Sequence, residues 1–154
     1  MTAGPIERLA QLGLVLPPPP RPAGTYAPVV RSGTLAFVSG QIATEAGAVV
    51  RPGSVDRDVP LEEAQQLARR ATLQALSALH AHLPGLDRVR RAVRVGVFVA
   101  VSPGFHREHE VANGATQLLV DVFGEDGRPA RSSIGVAGLP LGAPVEVELL
   151  VETG

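Results

Sequence analysis

The sequence contains neither cysteine nor lysine in its 154 residues. Without cysteine, the chain has no thiol nucleophile, no disulfide and no cysteine-ligated metal. Without lysine, no side chain can form a Schiff base with a carbonyl substrate or with pyridoxal phosphate. All 14 basic side chains are therefore arginines, and covalent catalysis through a thiol or a side-chain amine is excluded.

Aromatic residues make up 3% of the chain, and the formal net charge is −1. Few aromatics and balanced charge provide neither stacking platforms for bases nor an electrostatic surface for phosphates, so we expect no nucleic-acid partner. No apolar stretch reaches the length of a membrane span, and the N-terminus lacks a basic region followed by an apolar core. We therefore expect no membrane association and a cytoplasmic location.

Residues 1–22 are predicted to form an extension in front of a main domain, residues 23–154. Residues 5–12 begin with proline and run into Gly13, which predicts a short helix. The prolines at 17–20 predict extended, polyproline-like backbone, typical of a stiff spacer or, alternatively, of a ligand for a proline-binding domain.

Along the main domain, the spacing of apolar residues switches between the two-residue period of strands and the 3.6-residue period of helices. In chain order the patterns predict a hairpin (26–31 and 35–39), a loop (42–59), a helix (61–83), a strand (93–101), a helix (106–123) and two strands (130–137 and 144–152). This order indicates an α+β two-layer sandwich, a mixed sheet with two long helices on one face. The other face carries Phe98 and Leu150 among charged residues, so we expect another subunit to cover it.

The last two predicted strands place charged residues between apolar ones. Glu146 and Glu148 alternate with Val145 and Val147 in the final strand, and Arg131 precedes an alternating segment in the strand before it. If the apolar sides of both strands pack on the helices, Arg131 and Glu146 share the opposite face. A site built from both is expected there.

Six short blocks of the main domain stand in a distinctive order. They are GTY at 24–26, FVSGQI at 37–42, Asn113 within a helix, PARS at 129–132, LP at 139–140 and VEVE at 145–148. In this order and spacing they resemble the RidA/YjgF family, often labelled endoribonuclease L-PSP. The resemblance implies a chorismate-mutase-like fold and a homotrimer whose ligand clefts lie between neighbouring subunits.

The resemblance also implies an activity and its residues. The activity is hydrolysis of reactive 2-imino or enamine acids, such as 2-aminoacrylate, to 2-oxo acids and ammonia without a cofactor. Arg131 is implied to bind the substrate carboxylate, and Glu146 to serve the hydrolytic water. The substrate-binding residues implied are Tyr26, Gly40, Asn113 and Ser133, the last standing where many relatives have cysteine.

Each of these residues also has a structural interpretation. Arg131 could form an ion pair with Glu146 or Glu148, Glu146 could lie on a solvated strand face, and Tyr26 could be a packing residue. A non-catalytic trimer that binds small carboxylates would use the same Arg131. A ribonuclease or translation inhibitor is a third hypothesis, against which the composition argues.

The four histidines form no recognisable metal motif. His106 and His109 lie in the segment HREHE, which matches neither HExxH nor its inverse, and His80 and His82 point apart on a helix. We interpret them as solvated helix ends and expect no metal site.

Overall fold

A five-stranded mixed sheet lies against two long helices in a computed structural model that describes residues 3–154. Met1 and Thr2, part of the predicted extension, lie outside the described residues. In chain order the elements are α1 (Pro5–Gln11), β1 (Val29–Ser32), β2 (Leu35–Ile42), β3 (Thr44–Glu45), β4 (Ala48–Val49), α2 (Leu61–His82), β5 (Val89–Ala100), α3 (Glu108–Phe123), β6 (Ala130–Val136) and β7 (Val145–Thr153). The predicted α+β architecture is confirmed.

The sheet has the order β1-β2-β7-β5-β6, so β1 and β6 are its edges. Only the β5–β6 pair is parallel, which confirms the mixed sheet. Along β5, the side chains of Val95, Val97 and Val99 are fully buried on the face that carries the helices. Residues paired across neighbouring strands share a face, so this valine row defines which side chains of β6 and β7 point toward the helices.

The two long helices pack closely on each other. The side of α2 that faces the core is built largely from alanine, and Ala112 and Ala115 of α3 are buried too. A Cβ at Gly114 would collide with the carbonyl oxygen of Gln65 on α2, so glycine permits this approach. The position of the neighbouring Asn113 on α3 depends on this packing.

The N-terminal extension packs on the helices over its described residues. Leu9 of α1 is buried, and Arg8 donates to the Val122 carbonyl of α3 at 3.1 Å. Beyond α1, the Ser77 hydroxyl of α2 donates to the Pro17 carbonyl at 2.5 Å. The proline run forms neither helix nor strand, and one end is fixed to the surface of α2. Its extended conformation stays a prediction. The domain boundary after residue 22 stays a prediction.

The segment 42–59 departs from the sequence prediction. We predict a loop throughout, but β3 and β4 form a small antiparallel hairpin there, in which Thr44 pairs with Val49. The prediction is wrong at this point because strands of two residues carry no alternation to detect. Gly47, with a φ of +82°, forms part of the turn.

The sheet face away from the helices carries apolar side chains that are open to solvent in the protomer. Val30 and Phe37 are about half exposed, and so is Ile134, at 50%, on the edge strand β6. Phe98 and Leu150 are partly buried beside them. Cover by another subunit stays a prediction. None of the helices within residues 3–154 is long and apolar enough to cross a membrane.

Candidate active site

Glu146 lies in β7 on the face of the sheet away from the helices, at the wall of a cavity of about 1060 Å³. The same cavity is lined by Tyr26, from the loop before β1, and by Gly40 of β2. Three of the six predicted site residues therefore meet in one cavity of a single chain.

The carboxylate of Glu146 is half-buried and rests against the backbone of β2. The pairing of β2 with β7 shifts register between Val38 and Gln41, and Gly40 lies in this irregular stretch. A Cβ at Gly40 would overlap the carboxylate of Glu146, so glycine is required for this close approach. Burial, and secondly the charge of Glu148, raise the pKa of Glu146 above that of an ordinary glutamate.

Tyr26 is half exposed at the mouth of the cavity, with 51% of its surface open. Its hydroxyl oxygen accepts a hydrogen bond from the Ala23 backbone N–H at 3.3 Å. This contact leaves the hydroxyl proton available for donation to a ligand.

The other three predicted residues lie outside this cavity, and two of them, Arg131 and Asn113, are in contact. Arg131 of β6 donates from Nη1 to Asn113 Oδ1 at 2.8 Å and to Thr116 Oγ1 at 3.3 Å, both on α3. Ser133 lies two residues farther along β6 and is partly buried. Within residues 3–154, Arg131 forms no ion pair, so the alternative pairing with Glu146 or Glu148 is not what holds it.

The predicted common face of Arg131 and Glu146 is wrong. Arg131 pairs with Val95, which points toward the helices, whereas Glu146 pairs with Phe98 on the opposite face. Ile134 of β6 also pairs with Phe98, so Ile134 lies on the same face of the sheet as Glu146. The prediction failed because it assumed that the apolar side of β6 packs on the helices. β6 and β7 are also two strand spacings apart, roughly 10 Å, and their partners on β5, Val95 and Phe98, are three residues apart along the strand.

The cavity contains further polar residues that the sequence analysis missed. Arg70 and Gln74 reach it from α2, and Thr44 from β3. Gln74 donates from Nε2 to Thr44 Oγ1 at 2.7 Å, and its buried Oε1 has no partner in the part of the chain that the structure describes. No sequence signal marks these residues, because only the packing of α2 against the β3–β4 hairpin brings them together.

The four histidines are exposed, at or near the ends of α2 and α3, as the sequence analysis predicts for solvated helix ends. Over residues 3–154, no three side chains among histidine, cysteine, aspartate and glutamate cluster in a way that would hold a metal ion.

The sequence profile of the family described as Endoribonuclease L-PSP matches residues 18–153. The chain belongs to this family. The resemblance to RidA/YjgF, the other name of the family, is thereby confirmed. The profile begins within the proline run, so it covers every residue that lines the cavity except Pro17, and it covers both groups of candidate residues.

Individual relatives carry different names. Protein TCP17 of Trypanosoma cruzi is 44% identical over 145 residues, 94% of this chain and 91% of that protein. A 2-iminobutanoate/2-iminopropanoate deaminase of Dermatophagoides farinae is 30% identical over 134 residues, 86% of this chain and 88% of that one. The crystal structure of Atu1372 from Agrobacterium tumefaciens, of unknown function, has a TM-score of 0.87 at 39% identity and covers 95% of this chain and 89% of that chain.

Proposed function

We propose that the protein hydrolyses 2-imino acids and their enamine tautomers, such as 2-aminoacrylate, to 2-oxo acids and ammonia without a cofactor. The observation that carries the proposal is the half-buried Glu146 carboxylate, whose pKa is raised, at the wall of a cavity that also presents Tyr26. A carboxylate with its pKa moved toward neutrality is suited to take and return a proton. A relative at 30% identity bears the name of such a deaminase.

The reaction requires one water and one proton relay. Glu146 takes a proton from the water as the oxygen attacks the C=N carbon, and the imine nitrogen takes up a proton from solvent, which gives a carbinolamine. The amino group then receives the proton held by Glu146, the C–N bond breaks and ammonia leaves. The hydroxyl proton is released to solvent as the C=O bond forms, so the products are the 2-oxo acid and ammonia, which takes up a proton from solvent at neutral pH.

The substrate carboxylate needs a second group, for which we propose Arg131 of a neighbouring subunit. A guanidinium matches a carboxylate with two parallel N–H donors. Within one chain Arg131 faces away from the Glu146 cavity, so only a second copy supplies it. The apolar open face, with Phe37 and Ile134, and the edge strand β6 provide a surface for such contact, consistent with a chorismate-mutase-like homotrimer.

A non-catalytic carboxylate-binding trimer is the second candidate. It is favoured by the contacts of Arg131, which is held by the neutral side chains of Asn113 and Thr116 and keeps its charge for an anion. The two candidates differ at Glu146, which only the hydrolase needs.

The test generates 2-iminobutanoate from 2-aminobutanoate with an amino-acid oxidase, in the presence of catalase, and measures 2-oxobutanoate release. We expect the protein to accelerate release, and Glu146→Gln to lower kcat by roughly 10²- to 10⁴-fold, the usual contribution of a general base. Glu152→Gln, on the same strand, is the control and should retain activity. No acceleration with any imine, together with unchanged 2-oxobutanoate binding by Glu146→Gln, would contradict the hydrolase and favour the binding protein.

A further inference from the structure

The cavity extends past Glu146 to a second polar end. Glu146 of β7 pairs with Ile42, and Thr44, two residues farther along the chain, lines the same cavity. The Thr44 carbonyl accepts hydrogen bonds from Arg70 Nε at 3.1 Å and Nη2 at 3.0 Å. The Arg70 guanidinium and the Glu146 carboxylate thus line the same cavity.

Arg70 retains donors for a ligand. Of its five N–H groups, those on Nη1 have no partner among residues 3–154. The nearest acid is Glu45, at 3.7 Å from Nη2 and with 74% of its side chain exposed, which makes a weak ion pair. The charge of Arg70 is therefore only partly neutralised by the protein itself.

The neighbouring Arg69 shows what a purely structural arginine looks like on the same helix. It points toward α3 and pairs with Asp121 at 3.0 Å, with both side chains about three-quarters buried. Arg70, one residue on, instead lines the cavity. The two positions differ by about 100° around the helix axis, so they cannot share a role.

The surroundings hold this end of the cavity in place. Gln74, one turn after Arg70, is 5% exposed and fixes Thr44 through its hydroxyl, and Thr44 in turn orients the guanidinium. The proline run lines the same cavity with rings that lack backbone N–H donors, and Arg21 after it lines the cavity too. The cavity thus combines apolar proline rings with the guanidinium of Arg70.

Resting on the proposed function, we infer that this end of the cavity binds a second carboxylate, so that the preferred substrates are 2-imino dicarboxylic acids, with Arg70 as the specificity-determining residue. The substrate lies with its C=N carbon near Glu146 and its methylene groups along the prolines. The distal carboxylate takes the free donors of Arg70. Enzymes that oxidise acidic amino acids supply imines of this class.

The test compares two imines generated in place, 2-iminoglutarate from glutamate oxidase and 2-iminobutanoate from an amino-acid oxidase. The measured quantity is the ratio of kcat/KM for the dicarboxylic to the monocarboxylic imine. Arg70→Gln should lower this ratio at least tenfold, the change expected for loss of a charge-assisted hydrogen bond. Arg70→Lys, which keeps the charge, should recover part of it, and Arg69→Gln should leave the ratio within twofold. A fall of less than threefold in Arg70→Gln would overturn the assignment.

Binding separates this inference from the proposed function. Calorimetric titration with 2-oxoglutarate and 2-oxobutanoate requires no turnover. If no imine is hydrolysed, the proposed function fails, yet tighter binding of 2-oxoglutarate that is lost in Arg70→Gln still supports the subsite. Equal affinity of the wild-type protein for the two acids would overturn it. Thermal melting checks that Arg70→Gln keeps the fold of the β3–β4 hairpin region.

Discussion

The two groups of candidate residues differ in nearly every physical respect. Glu146 is half-buried in a cavity, against Gly40, where a Cβ would overlap its carboxylate, and its pKa is raised. Arg131 is exposed on an edge strand and is held by two neutral side chains of α3. The Glu146 carboxylate is thus partly shielded from solvent at a cost to its ionised form, whereas the Arg131 guanidinium is open to solvent and hydrogen-bonded to α3.

The separation has an electrostatic consequence. A guanidinium beside Glu146 would stabilise the ionised carboxylate and lower its pKa, which would weaken it as a proton acceptor at neutral pH. An ion pair would also occupy the donors that a substrate carboxylate needs. By placing Arg131 on the other face of the sheet, the chain keeps both groups available, and a ligand that lies between two subunits would meet both.

The largest expected effect comes from mixing two variants of low activity. Arg131→Ala should lower kcat/KM for 2-iminobutanoate by roughly 10- to 10²-fold, because it removes a charge-assisted contact. If each cleft takes Glu146 from one chain and Arg131 from the next, unfolding Arg131→Ala and Glu146→Gln together and refolding them restores intact clefts. In a randomly mixed cyclic trimer about a quarter of the clefts carry both residues, so about a quarter of wild-type activity should return.

The control refolds each variant alone and should return none of the lost activity. Activity of the mixture equal to the mean of the two variants would mean that both residues act within one chain, and the division between subunits would be wrong. Sedimentation of the mixture verifies that the chains have reassembled.

Most of the fold could be predicted from the sequence, because its elements carry strong periodic signals. The alternating valines of β5 and the alanine-rich face of α2 bury one face each, and both elements lie where the patterns place them. The short β3–β4 hairpin was missed since two residues per strand give no period. Strand limits shifted as well, and Tyr26 lies in the loop before β1 instead of within a strand.

The candidate site was only partly predictable. The family blocks pointed to the residues, and the structure brings together Tyr26, Gly40 and Glu146 in one place and Asn113 and Arg131 in another. The orientation of β6 was misjudged because Ile134 looks like a core residue in the sequence, although it is half exposed on the open face. An edge strand can carry apolar residues on its outer face, so the period of β6 alone does not show which of its sides faces the core.

The position of the Glu146 carboxylate can be changed by a substitution at Gly40, which lies directly against it. Gly40→Ala adds a Cβ that would overlap the carboxylate of Glu146, so the carboxylate must move away from its water. A displacement of this size should lower kcat about tenfold with little change in thermal stability, since positioning controls the rate. Gly138→Ala is the matched control, because a Cβ there meets no atom within 4 Å and should leave kcat unchanged. Equal activity of both variants would mean that the position of Glu146 does not limit the rate.

The smallest expected effect is on the pH dependence of kcat/KM, which tests whether the charge of Glu148 affects the pKa of Glu146. Burial is the larger cause of the raised pKa of Glu146, and repulsion from Glu148 is the second. Glu146 must be ionised to accept a proton, so kcat/KM should rise with pH through its pKa, at a pH above the ordinary range of glutamate. Glu148→Gln removes the repulsion and favours the ionised form of Glu146, so the rise should move to lower pH. Glu152→Gln, compared on the same imine, should leave the rise at the same pH. If the rise in kcat/KM moves to higher pH in Glu148→Gln, or persists in Glu146→Gln, the titrating group is not Glu146. Glu146 would then not be the proton acceptor.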